Sequence, residues 1–310
     1  MKKADVLFSC YEPPAFGAFG LSEAKEDGVI ENIFSMPQDP DFVIKSIKES
    51  KADAIILVSP VYYSEFFASK GKEFASIGKP IIELVFERTW GNPTVQFHRV
   101  WQENRIFNAD YYFCILNTDR SKMIEMGRKA FPLKLFISKN AFPKGPELTQ
   151  RVQKFCFIGA ISEDMPGLYA ERRRVLNALL KKNLIDIIHV PKGVTSNHMV
   201  SYAYATYAGI FCAPCNGNAQ SIRLYEGALA GGFMFEVQNV LEENRIFFNN
   251  QHAISIPEGI DENELCEKIA SIKFSEVAHM ADNARELVLK NHLPQNVISE
   301  ILETALGSPC

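Results

Sequence analysis

The sequence predicts an α/β protein made of two doubly wound, Rossmann-like units in tandem. Three observations carry that expectation. Uniformly apolar runs of strand length alternate with helix-period segments along almost the whole chain, which is how a parallel sheet covered on both faces reads. The alternation breaks into proline and glycine at Phe142-Pro143-Lys144-Gly145-Pro146-Glu147 and then starts again. A chain of 310 residues is also long for one core.

In the first half, ADVLFSCYEP reads as a strand and DFVIKSIKESK as a helix, with Phe42, Val43 and Ile47 at helical spacing. Strand ADAIILVSPVYY, helix FASKGKEFASIG and strand KPIIELVFERTW follow. PTVQFHRVWQENRIFNA is predicted helical; strand DYYFCILNTD, helix SKMIEMGRKA and strand PLKLFISKNAF close the series. The second series runs through strand QKFCFIGA, helix GLYAERRRVLNALLKKN, strand LIDIIHV, helix NHMVSYAYATYA and strand GIFCAPC. It continues with helix SIRLYEGALAG, strand GFMFEVQ, helix VLEENRIFFNN, strand HAISIP and helix DENELCEKIAS. A long helical region follows and is interrupted at Pro294. The expected domains are therefore 1–147, 148–293 and a terminal helix, 294–310, packing back on the first. Ligands of such sheets bind beyond the carboxyl ends of the strands, so two facing units are expected to enclose a central cleft.

Composition excludes several classes. Hydrophobic content of 47% with 23% charged residues is ordinary for a globular chain, and the net charge of −4 offers no global field for nucleic acid or anionic membrane. No stretch approaches the ~18 apolar residues of a membrane span, and Asp5 with the early prolines leaves too short an apolar run for a signal peptide. Among the seven cysteines, Cys10, Cys114, Cys156 and Cys212 sit inside apolar runs, where a free thiol packs as a small hydrophobe. That usage predicts a reducing compartment, the cytoplasm. Cys212 and Cys215 form one Cys-x-x-Cys with no second pair at zinc-site spacing.

Neither unit carries Gly-x-Gly-x-x-Gly after its first strand, and neither a P-loop nor a Gly-x-Ser-x-Gly elbow appears. Nicotinamide, P-loop and serine-hydrolase chemistry are thereby disfavoured. The informative segment is CAPCNGNAQSIRLYEGALAGG: a strand, a small polar loop and a helix. A helix start there aims free N–H groups of Gln220, Ser221 and Ile222, and a positive dipole end, at whatever lies beyond the strand, which suits phosphate. Arg223 and Glu226, three apart, are neighbours on one helical face. Two readings stand open here. The arginine can contact phosphate and the glutamate a vicinal diol, or the two can form an ordinary ion pair on an amphipathic helix.

The second half resembles the nucleotide-binding domain of GT-B glycosyltransferases, nearest the group 1 type domain shared by spore-coat maturation (CgeB-like) and exostosin-like enzymes. The residues that carry the resemblance are FCFIGA, YAERRRVLNALL, YAYATYAGIFCAPCN, the motif R-L-Y-E-G-A-L-A-G-G and the closing MADNARELVLKNH. It covers roughly the last 155 residues; the first half matches by architecture. The resemblance implies that Glu226 binds the donor ribose and that Arg223 is the arginine preceding it in the R-x-x-E branch. In the related retaining branch a second glutamate stands eight residues earlier, where this chain has Asn218. The implied activity moves a sugar from a nucleotide-diphosphate donor, with uridine diphosphate as the expected nucleotide, to an acceptor the sequence does not identify. The rival readings are a GT-B-type sugar-nucleotide epimerase and a non-catalytic nucleotide- or sugar-binding scaffold.

The remaining candidates follow from position. Arg172, Arg173 and Arg174 lie on the helix after the first strand of the second unit; Arg172 and Arg173 are the chosen partners of the leaving diphosphate, against a solvated basic face. His189, after the next strand, is the candidate for the nucleoside pocket. In the first unit Glu87, at the end of KPIIELVFERTW, is the candidate general base, with His98 and Glu12 behind it. No metal or other cofactor is expected: Asp39-Pro40-Asp41 has the spacing of a ligand pair but reads as a turn. Lys122, Arg128, Lys129 and Lys134 are the one local basic cluster that would serve a DNA acceptor.

Overall fold

A computed structural model describes residues 1–9, 20–36, 38–58, 64–86, 108–159, 161, 166–188, 197–213, 221–237, 246–247 and 249–307. The chain divides into two compact units, 1–136 with 294–310, and 137–293. The division falls ahead of the proline- and glycine-rich stretch rather than after it. That stretch belongs to the second unit, where the Gly145 N–H donates to Ala230 O at 3.1 Å and a Cβ at 145 would stand 2.9 Å from Ala205 Cα.

The first unit runs β1 (Ala4–Ser9), α1 (Leu21–Glu26), β2 (Ile30–Met36), α2 (Pro40–Glu49), β3 (Ala54–Val58), α3 (Ser64–Ala75) and β4 (Ile81–Val85). It continues with β5 (Tyr111–Cys114), α4 (Asn117–Glu125) and β6 (Ala130–Pro132). Its six strands are parallel in the order β2-β1-β3-β4-β5-β6. β3 and β4 are buried at every position, as their unbroken AIILV and IIELV runs require. Behind them Phe66, Phe67 and Phe74 of α3 pack edge to face, with centroids 5.0 to 5.8 Å apart.

A buried polar knot ties the amino ends of this sheet. Asp5 is fully buried; its carboxylate accepts from Asn32 Nδ2 at 2.9 Å and Ser50 Oγ at 2.6 Å, with Lys79 Nζ 3.7 Å away. Lys79 also donates to the carbonyls of Ile47 and Ser50, so the charges lie inside a hydrogen-bonded set, the condition for burying them.

The second unit runs β7 (Val152–Ile158), α5 (Pro166–Lys181), β8 (Ile185–Ile188), α6 (Asn197–Thr206), β9 (Tyr207–Cys212), α7 (Ile222–Leu229), β10 (Phe233–Val237), β11 (Ala253–Ile256), α8 (Glu262–Ala270) and α9 (Phe274–Asn291). Its parallel sheet has the order β11-β10-β9-β7-β8. A last helix, α10 (Pro294–Leu306), packs against α1 of the first unit, and Lys134 Nζ reaches Glu300 at 2.6 Å. Read from the β8 edge, the second sheet repeats the first: second strand, first, third, fourth, fifth. Each unit therefore reverses strand order beside its first strand, where doubly wound sheets open a ligand crevice.

Differences from the sequence expectation have local causes. β2 and the six-residue α1 were not anticipated: IENIFSM interleaves polar residues because β2 is an edge strand with a half-buried pattern. The strand expected over 132–142 is confined to 130–132, since the residues that follow leave the sheet edge. Val43 and Ile47 are buried with Ile44, but Phe42 is 56% exposed. Asp39 caps α2, its carboxylate accepting from Asp41 N, and Pro40 takes the first helical turn; the pair expected as a turn is instead the start of this helix. Among the described residues, no helix is long and apolar enough to cross a membrane.

The second core is aromatic. Phe155 of β7 sits against Phe233, Phe235 and Phe274, with centroids 5.3 to 6.1 Å apart. Gly209 of β9 lies directly beneath it: a Cβ there would come 2.5 Å from the Phe155 ring. Because three rings hold Phe155 in place, Gly209→Ala is expected to destabilise the protein by about 1–3 kcal/mol, measured by chemical denaturation. An unchanged midpoint would show that the ring moves aside.

Candidate functional site

The helix that carries the sequence motif begins at a built cap. Ser221 is extended (φ −65°, ψ 143°) and its hydroxyl accepts from Arg223 N at 3.2 Å. Small residues then bring α7 close to the sheet: a Cβ at Gly227 would stand 3.1 Å from Ile210 Cγ1 of β9. The double glycine ends the helix. Gly231 takes the left-handed conformation (φ 71°); its N–H donates to Ala228 O and that of Gly232 to Gly227 O, both at 2.9 Å. These two bonds are a Schellman closure. Gly232 has a separate reason to be glycine, since a Cβ there would come 2.7 Å from Ile210 Cγ1.

On this helix Arg223 Nη1 donates to Glu226 Oε2 at 2.6 Å. The two ends of the pair differ: the Arg223 side chain is 31% exposed and that of Glu226 only 6%. Burial pushes the Glu226 carboxyl up, while first Arg223 and then the nearby Tyr204 pull it back. For Arg223, burial opposes the charge and the adjacent Glu226 outweighs it, so the guanidinium stays firmly protonated. The pair is thus neither a solvated surface bridge nor a bare site. It is a buried carboxylate held by Arg223, an arginine whose side chain is itself partly exposed.

Tyr204, absent from the sequence-level candidates, joins this site from α6. It is 1% exposed, and its carbonyl accepts from Arg151 Nη1 at 3.0 Å. Arg151, also buried, donates through Nη2 to Ala230 O at 2.8 Å and through Nε to Pro146 O at 2.7 Å. One guanidinium thereby gathers the carboxyl-terminal parts of α6 and α7 and the proline-rich stretch, satisfying carbonyls that helices leave open. A tyrosine one turn after Val200, on the same face of α6, was the available signal, because a buried phenol needs a partner.

The arginines of α5 take three different settings. Arg172 is buried, its guanidinium 4.6 Å from the Tyr169 ring centroid and 5.8 Å from that of Phe157. Arg173 is half-buried. Arg174 is structural: it grips Glu171 with two bonds of 2.7 and 2.6 Å and donates to Ile260 O ahead of α8. α5 follows β7 and α7 follows β9, the two strands that flank the reversal in strand order. Arg172, Arg173 and Arg223 therefore all sit on helices that leave the switch point of this unit.

Glu12, Glu87, His98, His189 and Gln220 lie outside the described residues, as do Cys10 and Cys215. Cys114, Cys156 and Cys212 are buried and in no disulfide; burial pushes the Cys156 thiol up to about 12, consistent with packing. Among the described residues no group of His, Cys, Asp and Glu forms a metal-ligand cluster. The basic cluster of the first unit is largely spent: Lys122 pairs with Glu125 and Lys134 with Glu300, while Arg128 and Lys129 lie over the Tyr112 and Tyr111 rings.

No protein-family model and no curated protein matches the chain. Solved structures match its fold. HepE from Anabaena, in complex with UDP-glucose, superimposes with a TM-score of 0.63 at 10% identity, covering 99% of this chain and all of that one. Sucrose-phosphate synthase from Thermosynechococcus elongatus gives 0.62 at 11%, covering 98% of each. AviGT4, a glycosyltransferase involved in avilamycin A biosynthesis, gives 0.55 at 9%, covering 99% of each. At such identities the likeness shows the fold: two Rossmann-like α/β units of the GT-B type.

The Glu171 carboxyl is held below its usual range, first by the hydrogen bond from Arg174. A lowered carboxylate contributes stability above its unfolded pKa, about 4.3, and loses it as pH falls through the folded value. Arg174→Met is therefore expected to cost about 0.5–1 kcal/mol at pH 7 and less at pH 3. Thermal melts at the two pH values check this; an equal cost at both would mean the side chain acts by packing.

Proposed function

We propose that this protein is a glycosyltransferase that moves a sugar from a nucleotide-diphosphate donor to an acceptor hydroxyl. The observation that carries the reading is the α7 site: a capped helix at the switch point with a partly exposed arginine and a buried carboxylate on one face. The fold it shares with HepE, solved with UDP-glucose, and with AviGT4 supports it and favours uridine diphosphate as the nucleotide. The Arg-x-x-Glu spacing supports the CgeB-like and exostosin-like branch.

In this reading the donor diphosphate meets the first-turn N–H groups of α7, at Gln220, Ser221 and Ile222, and the guanidinium of Arg223. Arg172 or Arg173 adds a second cation, so the charge that grows on the leaving diphosphate is met by fixed donors rather than by a metal. Glu226 accepts from the ribose hydroxyls. A carboxylate has about four lone-pair sites, so the bond from Arg223 leaves acceptor capacity for a diol. The acceptor oxygen attacks the anomeric carbon as the bond to the diphosphate breaks, and its proton passes to a base in the first unit, among Glu87, His98 and Glu12. His189 is assigned to the nucleoside.

Labelled UDP-glucose tests the activity: release of UDP with sugar moved to an acceptor or to water supports transfer. Formation of an epimer without release would replace this reading with an epimerase, and binding without turnover with a scaffold. Removing one partner of a buried pair costs about 3–5 kcal/mol, so the volume-conserving changes Arg223→Lys and Glu226→Gln are the informative ones. Each is expected to weaken UDP binding at least about tenfold by calorimetry. Wild-type affinity in either variant would remove that residue from the donor site.

A further inference from the structure

We infer that Arg151 and Arg285 are positioning residues of the donor site that act through α7, two cations at its carboxyl end that strengthen its hold on an anion at its first turn. The inference rests on the reading of α7 as the donor site and adds to it residues from outside that helix.

The carboxyl end of α7 is capped by both arginines. Ala230 closes the helix, and its carbonyl accepts from Arg151 Nη2 at 2.8 Å and from Gly145 N at 3.1 Å. The carbonyl of Leu229, the last residue of α7, accepts from Arg285 Nε at 3.2 Å; Arg285 stands on α9, which packs against α7. Gly231 leaves room for the guanidinium, since a Cβ there would come 3.2 Å from Arg151 Nη2. Arg151 also binds Tyr204 O in the last turn of α6 at 3.0 Å, so it faces the negative ends of two helix dipoles.

Neither guanidinium forms a salt bridge among the described residues. Arg151 is 6% exposed, and its bonds go to the carbonyls of Pro146, Tyr204 and Ala230. Arg285 is half-buried. The carboxylates of Glu147 and Asp282 go instead to Lys144, at 3.4 and 3.6 Å. Burial draws the Arg151 guanidinium down from its usual range, with Glu147 opposing, yet an arginine keeps its proton in a protein. A buried cation without a carboxylate is costly, and capping asks only for N–H donors, which Gly145 already supplies to Ala230 O. The charge is what capping leaves unused.

A charge at one end of so short a helix is felt at the other. The eight residues Ile222–Leu229 span about 12 Å, and the path runs through packed protein, where attraction is screened far less than in water. Cations on the last carbonyls offset the negative end of the α7 dipole and leave its positive end in place. The potential at the first turn, beside Arg223, is therefore more positive than the helix alone would make it. Such an effect follows the charge of the ligand and not its shape: a diphosphate gains more than a monophosphate.

Calorimetric titration of UDP and of UMP into the full-length protein tests this at about pH 8, where both ligands are fully ionised. The proteins are wild type, Arg151→Met, Arg151→Lys and Arg285→Met, with a thermal melt of each. Each methionine variant is expected to bind UDP about tenfold and UMP about threefold more weakly. Arg151→Lys, which keeps the charge and loses the fork, is expected to recover most of the UDP affinity despite a lower melting temperature. Arg285→Met decides the matter should Arg151→Met fail to fold. UDP affinity unchanged in the methionine variants, or UDP and UMP weakened by equal factors, would overturn the inference and leave the donor site standing. No UDP binding by the wild type would overturn the donor reading and this inference with it.

Discussion

A carboxylate taken almost wholly out of water is the constraint around which the second unit is arranged. Glu226 keeps 6% of its side chain exposed, and an ion so placed persists only where donors surround it. Arg223 supplies one from the preceding helical turn, and Tyr204 of a different helix stands close enough to pull the carboxyl down. For Tyr204 to come near, α6 and α7 have to stand at one depth over the sheet. Arg151 sets that depth by binding Tyr204 O and Ala230 O at once. The glycines follow from the same requirement: Gly227 and Gly232 let α7 lie against Ile210, and Gly231 turns the chain directly into β10.

The parallel construction of the two sheets explains where chemistry can sit. Both reverse strand order beside their first strand, and in the second unit the helices that leave this point carry Arg172, Arg173 and Arg223. Buried charge elsewhere is handled differently. Asp5 is enclosed by Asn32, Ser50 and Lys79 in a closed set that joins β1, β2 and the ends of α2 and β4. Exposure separates the two sets: the Lys79 side chain is 17% exposed and that of Asp5 not at all, against 31% for Arg223.

Much of the fold was legible because a parallel sheet writes itself into composition. AIILV, IIELV and FMFEV are buried at every position and apolar apart from Glu83 and Glu236, because both faces are covered. Elements at the margins were harder. The edge strand β2 mixes polar and apolar residues, and α1 is only six residues long, so neither has a period to detect. Phe42 fits a helical stripe yet points to solvent, since three spaced residues define a face only to within one position.

The sequence by itself determined the two-unit α/β plan, the helix start at Ser221, the pairing of Arg223 with Glu226 and the glycine turn that follows. All of these are local, set by residues within one or two helical turns. The tertiary structure alone decided that the pair is buried at one end and open at the other. It also decided that Arg174 is a strut to Glu171 and Ile260 while Arg172 lies under aromatic rings. Above all it brought Arg151 to carbonyls 53 and 79 residues away, and through them Tyr204 to the carboxylate. Contacts across such separations depend on strand register and helix depth. Those are properties of the packed core as a whole, and no spacing along the chain encodes them.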